Sequence, residues 1–160
     1  MRQIKLGADR IYFGEDAVKA LAELPAVRKR AYIVMSGTIQ EELGQLKVVT
    51  DVLESAGFAW KSNTNVEPEP CWESVRQGVE EMREFEPDWG IGFGGGSAMD
   101  AAKAMWVFYE NPQYKSLEEV MPPAPLELRK KARVCCITTS AGTGSECTRA
   151  ALIKDPVQKR

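Results

Sequence analysis

Two stretches of small residues hold the groups whose types and spacing could do chemistry. They are Gly94-Gly95-Gly96-Ser97-Ala98-Met99-Asp100-Ala101-Ala102-Lys103 and Thr139-Ser140-Ala141-Gly142-Thr143-Gly144-Ser145-Glu146. Each follows an apolar run. Glycines adopt backbone angles that other residues avoid, and they let an anion approach the main chain with no Cβ in the way. A helix opening at Ser97 points unpaired amides and its positive dipole end at such an anion. Ser97 and Asp100 also fit a helix cap, with Ser97 as N-cap and the acid three residues on. A capped terminus still presents its loop to phosphate, and three successive glycines exceed what a cap needs. Thr139, Ser140, Thr143 and Ser145 add hydroxyls suited to a ribose, a phosphate or an amide, although a polar turn alone accounts for such a composition.

What is missing narrows the chemistry. The chain contains 0 histidines, which removes the commonest general base and metal ligand. Neither stretch matches the G-x-S-x-G of a serine nucleophile. The first is neither G-x-G-x-x-G nor a P-loop, because no Lys-Ser or Lys-Thr closes it. Lys103 lies too far along the helix to wrap the loop and reads as a solvated or packing lysine. Cys71, Cys135, Cys136 and Cys147 form no C-x-x-C pair, and the adjacent pair points to opposite faces of a strand. Reduced, mostly buried thiols are the expectation.

The elements that must position these groups follow from periodicity. Ile4, Leu6, Ile11, Tyr12 and Phe13 around Gly7-Ala8-Asp9 predict a short β-hairpin. Val18, Leu21 and Leu24 predict a helix that Pro25 closes, and Ala31 to Met35 predicts the first buried parallel strand. One helix is expected through Leu43, Leu46, Val49, Val52 and Leu53 to Gly57, then a strand from Phe58 to Lys61. Val66-Glu67-Pro68-Glu69-Pro70 must be irregular or extended. Cys71 to Phe85 reads as a helix, Trp89 to Phe93 as a strand, Ser97 to Tyr109 as a helix, and Arg133 to Ile137 as the last core strand. Strands alternating with helices predict an α/β, Rossmann-like parallel sheet flanked by helices. Ligands of such sheets sit beyond the carboxyl ends of the strands, where loops at Ser36, Glu69, Gly94 and Thr139 can gather.

Length and charge agree with one globular domain. The chain has 160 residues, with 44% hydrophobic and 28% charged, and a formal net charge of −2. That composition argues against disorder, and no basic field favours nucleic acid. No apolar stretch approaches the roughly 20 residues of a membrane span, and the start lacks the pattern of a signal peptide. A soluble, cytoplasmic protein is the expectation.

The two motifs together, GGGSAMDAAK and TTSAGTGSE, closely resemble the iron-dependent alcohol dehydrogenases, whose patterns run G-G-G-S-x-x-D-x-A-K and P-T-T-x-G-T-G-S-E. Tyr12-Phe13-Gly14, the strand at Ala31 to Met35 and Val66 to Pro70 extend the resemblance over the whole chain. It implies an N-terminal NAD(P)-binding domain followed by a helical domain that holds a divalent metal, iron or sometimes zinc, through aspartate and histidines. The implied reaction is hydride transfer between an alcohol and its aldehyde or ketone. Carried across, Gly94, Gly95, Gly96 and Ser97 would hold the diphosphate with Asp100 near them. Thr139, Ser140, Thr143 and Ser145 would line the ribose and nicotinamide side. Glu69 stands where many members place an asparagine near the adenosine.

Three departures qualify the resemblance. Thr138 replaces the proline of the second pattern. Ser36, followed by Gly37, stands where NAD-using members carry an aspartate for the adenosine ribose, so NADP(H) is admitted at least as readily as NAD(H). Residues 1–160 correspond to the coenzyme-binding half, with the metal-binding domain absent. The expectation is a fragment inactive alone, whose intact form takes a small alcohol or aldehyde, with no nucleic-acid or membrane partner and with a homo-oligomer left open. The alternatives are a free-standing nucleotide-binding module without catalysis and, more remotely, a dehydroquinate-synthase type of cyclase. Replacing Ser36 with Asp is expected to shift preference toward NADH in parallel NADH and NADPH titrations; unchanged selectivity would remove the argument from Ser36.

Overall fold

Side-chain alternation along two central strands divides the interior into two layers. The computed structural model describes residues 2–4 and 10–155. Its strands are β1 (Arg2–Ile4), β2 (Ile11–Phe13), β3 (Arg30–Val34), β4 (Ala59–Asn63), β5 (Trp89–Gly94) and β6 (Arg133–Thr138). Its α-helices are α1 (Ile39–Glu42), α2 (Gln45–Ser55), α3 (Trp72–Phe85) and α4 (Gly96–Glu110). The strands β4-β3-β5-β6 form one all-parallel sheet in that order. The predicted α/β class is observed. β1 pairs antiparallel with β2, as a hairpin requires, while the proposed turn at Gly7-Ala8-Asp9 lies outside the described residues.

Ala31, Ile33 and Met35 point into one layer with Leu46, Val49 and Leu53 of α2, whereas Tyr32 and Val34 point into the other with α3 and α4. On β5 the alternation is more extreme. Trp89, Ile91 and Phe93 fill the α2 layer, while Gly90, Gly92 and Gly94 turn toward α4. A Cβ on Gly92 would stand 2.8 Å from the Cα of Met99 and 3.0 Å from the Cβ of Ala102. The α4 backbone therefore lies directly on the strand, a distance only glycine allows.

The connections set where the loops open. β3 leads through α1 and α2 to β4 on one side, and β5 leads through α4 to β6 on the other. Neighbouring strands whose connections leave in opposite directions create a crevice beyond their carboxyl ends. That crevice lies between the loops after β3 and β5. At the other end of the sheet, cations finish three helices: Lys29 Nζ donates to the Ala56 carbonyl at 2.7 Å, Arg30 Nη1 to Phe85 at 3.0 Å and Lys131 Nζ to Tyr109 at 3.2 Å. These are the negative ends of α2, α3 and α4, where positive charge is stabilising.

Several local expectations need correction. The predicted helix closed by Pro25 is a 3-10 helix, Ala17–Glu23. The helix expected through Leu43 to Leu53 starts later, at Gln45, because Gly44 takes a left-handed φ of 69°, and Leu43 instead closes the separate short α1. Helix α4 begins at Gly96 with Gly95 as its N-cap and no side-chain cap, so Ser97 and Asp100 do not form the expected capping box. Three of the cysteines are half-buried and Cys147 is exposed, not buried.

The glycine contact gives a test by volume. Gly92→Ala is expected to lower unfolding free energy by about 1–3 kcal/mol, the usual cost of overpacking. Gly90→Ala places its Cβ 3.7 Å from the Met82 Cε, an ordinary contact. It should be neutral or slightly stabilising. Urea denaturation of both variants decides it; equal stabilities would contradict the close approach.

Candidate functional site

The turn from β5 into α4 is the centre of the site. Gly94 leaves the strand at φ 147°, a conformation that L side chains rarely adopt. Gly95 and Gly96 follow as N-cap and first helical residue. The first amides of a helix lack intrahelical partners, and here no side chain caps them. The result is a partly exposed row of main-chain donors at the positive end of a helix of 15 residues. Such an end binds anions.

The second glycine-rich loop closes over this turn. The Thr139 amide donates to the Gly94 carbonyl at 3.0 Å. A Cβ on Gly95 would meet Ser140 Oγ at 3.2 Å, and one on Gly96 would meet Thr143 Cγ2 at 3.3 Å. The two predicted stretches are therefore in contact. Thr139, Ser140 and Thr143 are exposed on this rim, whereas Ser145 is buried.

Two further loops border the same edge. After β3, Ser36 pairs with Asn65 in an isolated bridge and the Gly37 amide donates to the Thr64 carbonyl at 3.1 Å. That stitches the Ser36-Gly37 loop to the chain leaving β4. Ahead of α3, the Glu69 amide donates to Ser97 Oγ at 3.2 Å. Glu69 is left-handed at φ 58° and its carboxylate pairs with Lys154. That neighbour holds the exposed Glu69 carboxyl below its usual range, through a hydrogen bond and then through charge. Contacts thus join the expected loops at Glu69, Gly94 and Thr139, while the Ser36 loop is tied to Thr64 and Asn65.

Behind the rim lies a buried ionic knot. Asp100 Oδ1 accepts from Ser145 Oγ at 2.5 Å and lies 2.9 Å from Lys103 Nζ, while Asp100 Oδ2 accepts from the Leu152 amide at 3.1 Å. Lys103 Nζ also donates to Ser145 Oγ at 2.7 Å and to the Ala150 carbonyl at 2.5 Å. Asp100 and Ser145, both expected at the ligand, have these oxygens turned on each other. Lys103 is 7% exposed, so the reading of a solvated lysine is overturned and the packing alternative holds. Sequence reasoning placed Lys103 two turns from the loop but had no sign that the chain beyond Gly144 folds back onto it.

A diphosphate suits this turn chemically, because no side chain caps the first amides of α4 and the glycines at positions 94, 95 and 96 set no Cβ against their close neighbours. Among the described residues no group of three or more His, Cys, Asp or Glu side chains is arranged to hold a metal ion. The thiols offer no reactive centre in the strand either: burial pushes Cys135 up to about 12 and Cys136 up to about 11. Two hollows of about 240 and 330 Å³ lie elsewhere, one against Trp72 and Phe108 and one beside Asp88 and Lys131. Among the described residues no helix is long and apolar enough to cross a membrane.

Comparison with known proteins agrees with this geometry. Residues 8–160 match the family described as iron-containing alcohol dehydrogenase. An NADPH-dependent butanol dehydrogenase of Clostridium saccharobutylicum is 41% identical over 91% of this chain and 37% of its own length. The iron-containing alcohol dehydrogenase structure from Thermococcus thioreducens superposes with a TM-score of 0.78 at 30% identity, over 89% of this chain and 39% of that one. An archaeal alcohol dehydrogenase from a Red Sea brine pool reaches 0.82 at 29% identity, over 98% and 41%. The chain therefore spans well under half the length of these proteins.

The ionic knot predicts a coupled pair. Lys103→Met leaves the Asp100 carboxylate buried without its cation and is expected to cost about 3 kcal/mol. Adding Asp100→Asn should recover part of that loss, as a double-mutant cycle by urea denaturation would read. Strictly additive effects would mean that the two side chains do not depend on each other.

Proposed function

The chain belongs to the iron-containing alcohol dehydrogenase family, and from that premise we propose that it grips the nicotinamide coenzyme of such an enzyme, NADP or NAD. The observation that carries the reading is the contact between the Gly94–Ser97 turn and the Thr139–Thr143 loop beside the crevice of the sheet. The uncapped amides of α4 face a diphosphate, and the exposed hydroxyls of Thr139, Ser140 and Thr143 suit the adjoining sugar and amide. Asp100, Lys103 and Ser145 act behind them by holding the two loops at a fixed distance. Once bound, the coenzyme supplies a carbon centre that accepts or gives hydride.

NADP(H) is favoured by Ser36, which brings no carboxylate against a 2′-phosphate, and Gly37 beside it leaves open space. The relative named for NADPH dependence and butanol supports the same coenzyme and a small alcohol or aldehyde as the substrate of the whole enzyme. On this reading the residues of this chain bind and orient coenzyme and contribute no metal ligand, so the chain by itself is expected to show no turnover. The iron that gives the family its name would be held by other residues.

Fluorescence or calorimetric titration of the 160-residue chain with NADPH and NADH tests the reading. Saturable binding of at least one is expected. Absence of binding of either at millimolar concentration would overturn the assignment.

A further inference from the structure

Gln40 is a polar side chain in a place where burial has to be explained. It lies on α1, immediately after the Ser36-Gly37-Thr38 loop, and is 6% exposed. Its Oε1 is buried with no hydrogen-bond partner. Its Nε2 stands 3.5 Å from the point where a Cβ would sit on Gly94. The carboxamide is therefore wedged between the loop leaving β3 and the turn leaving β5, which is the crevice that the reversed connections create. An apolar residue in that position would avoid a buried unpaired acceptor, so among the described residues nothing gives the amide a structural role.

We propose that Gln40 is a coenzyme-binding residue, its carboxamide donating to the diphosphate held at the Gly94–Ser97 turn. The inference deepens the proposed function and rests on it. An amide suits this task better than lysine or arginine in a buried crevice, because a neutral donor carries a smaller desolvation cost than a cation. The donor side lies against Gly94, where the anion approaches the main chain. The buried, unpaired Oε1 is then the cost of keeping that donor in place. Gln40 thus joins the loop that meets the adenosine ribose to the turn that meets the phosphates.

The test uses the full chain with NADPH, NADH and ADP-ribose, and two variants. Gln40→Met keeps length and removes both polar atoms; it should raise the thermal midpoint while weakening binding roughly tenfold to a hundredfold, the loss of a hydrogen bond to a charged group. Gln40→Glu should bind more weakly still, because a carboxylate there repels the diphosphate. The opposite signs for stability and affinity separate a binding role from a packing role. Unchanged affinity in Gln40→Met would overturn the inference and leave the proposed function standing, as would a fall in both midpoint and affinity. Failure of the unaltered chain to bind any of the three ligands would remove both.

Discussion

The rest of the structure depends on the contact between the backbone of α4 and strand β5. A helix normally stands off a sheet by the thickness of two side-chain layers. Here Gly92 offers no side chain, and Met99 and Ala102 press against the strand itself. That approach fixes the height of the helix axis over the sheet, and with it the position of the first turn. The amides of Gly96 and Ser97 then open directly beyond the strand end. The Thr139–Thr143 loop can reach them because β6 runs beside β5 in register, with Thr138 opposite Gly94.

The ionic knot below the rim performs a complementary task. Asp100 and Lys103 belong to α4, whereas Ser145 opens a single 3-10 turn, Ser145–Cys147, and Ala150 and Leu152 belong to the irregular chain after it. Such chain stays close to the turn only if side chains anchor it. A buried ion pair is a poor source of net stability but a demanding one in geometry, since each partner must find the other or remain unpaired. The hydroxyl-lined loop is thereby held beside the turn.

Much of this was legible from residue patterns. Apolar runs at Ala31–Met35 and Trp89–Phe93 marked β3 and β5, and the helical stretch from Cys71 to Phe85 marked α3. The paired glycine motifs marked the rim, and the family resemblance extended them to the whole chain. The misses have physical causes. Gly44 in an otherwise helical pattern breaks the helix only because it adopts left-handed angles, which spacing does not report. The large-then-glycine alternation of β5 was visible in the text of the sequence, yet its meaning depends on which helix lies across it. Helix α4 is buried on nearly all sides, so its polar residues carry no periodic signature separating inward from outward. Lys103 escaped for that reason, and Gln40 of the short α1 is likewise an ordinary soluble-looking residue enclosed by distant parts of the chain.

The cations at the far end of the sheet bear on how an acidic molecule meets an anionic ligand. Lys29, Arg30 and Lys131 neutralise the carbonyl ends of three helices, and the opposite end of α4 keeps its amides bare. The dipole of that helix is consequently compensated at one pole and left uncompensated at the other. A formal charge of −2 averaged over the whole surface is then a poor guide to the potential at the rim. An anion drawn to such a rim would be drawn at short range, where added salt screens less than it screens the field of a net positive surface.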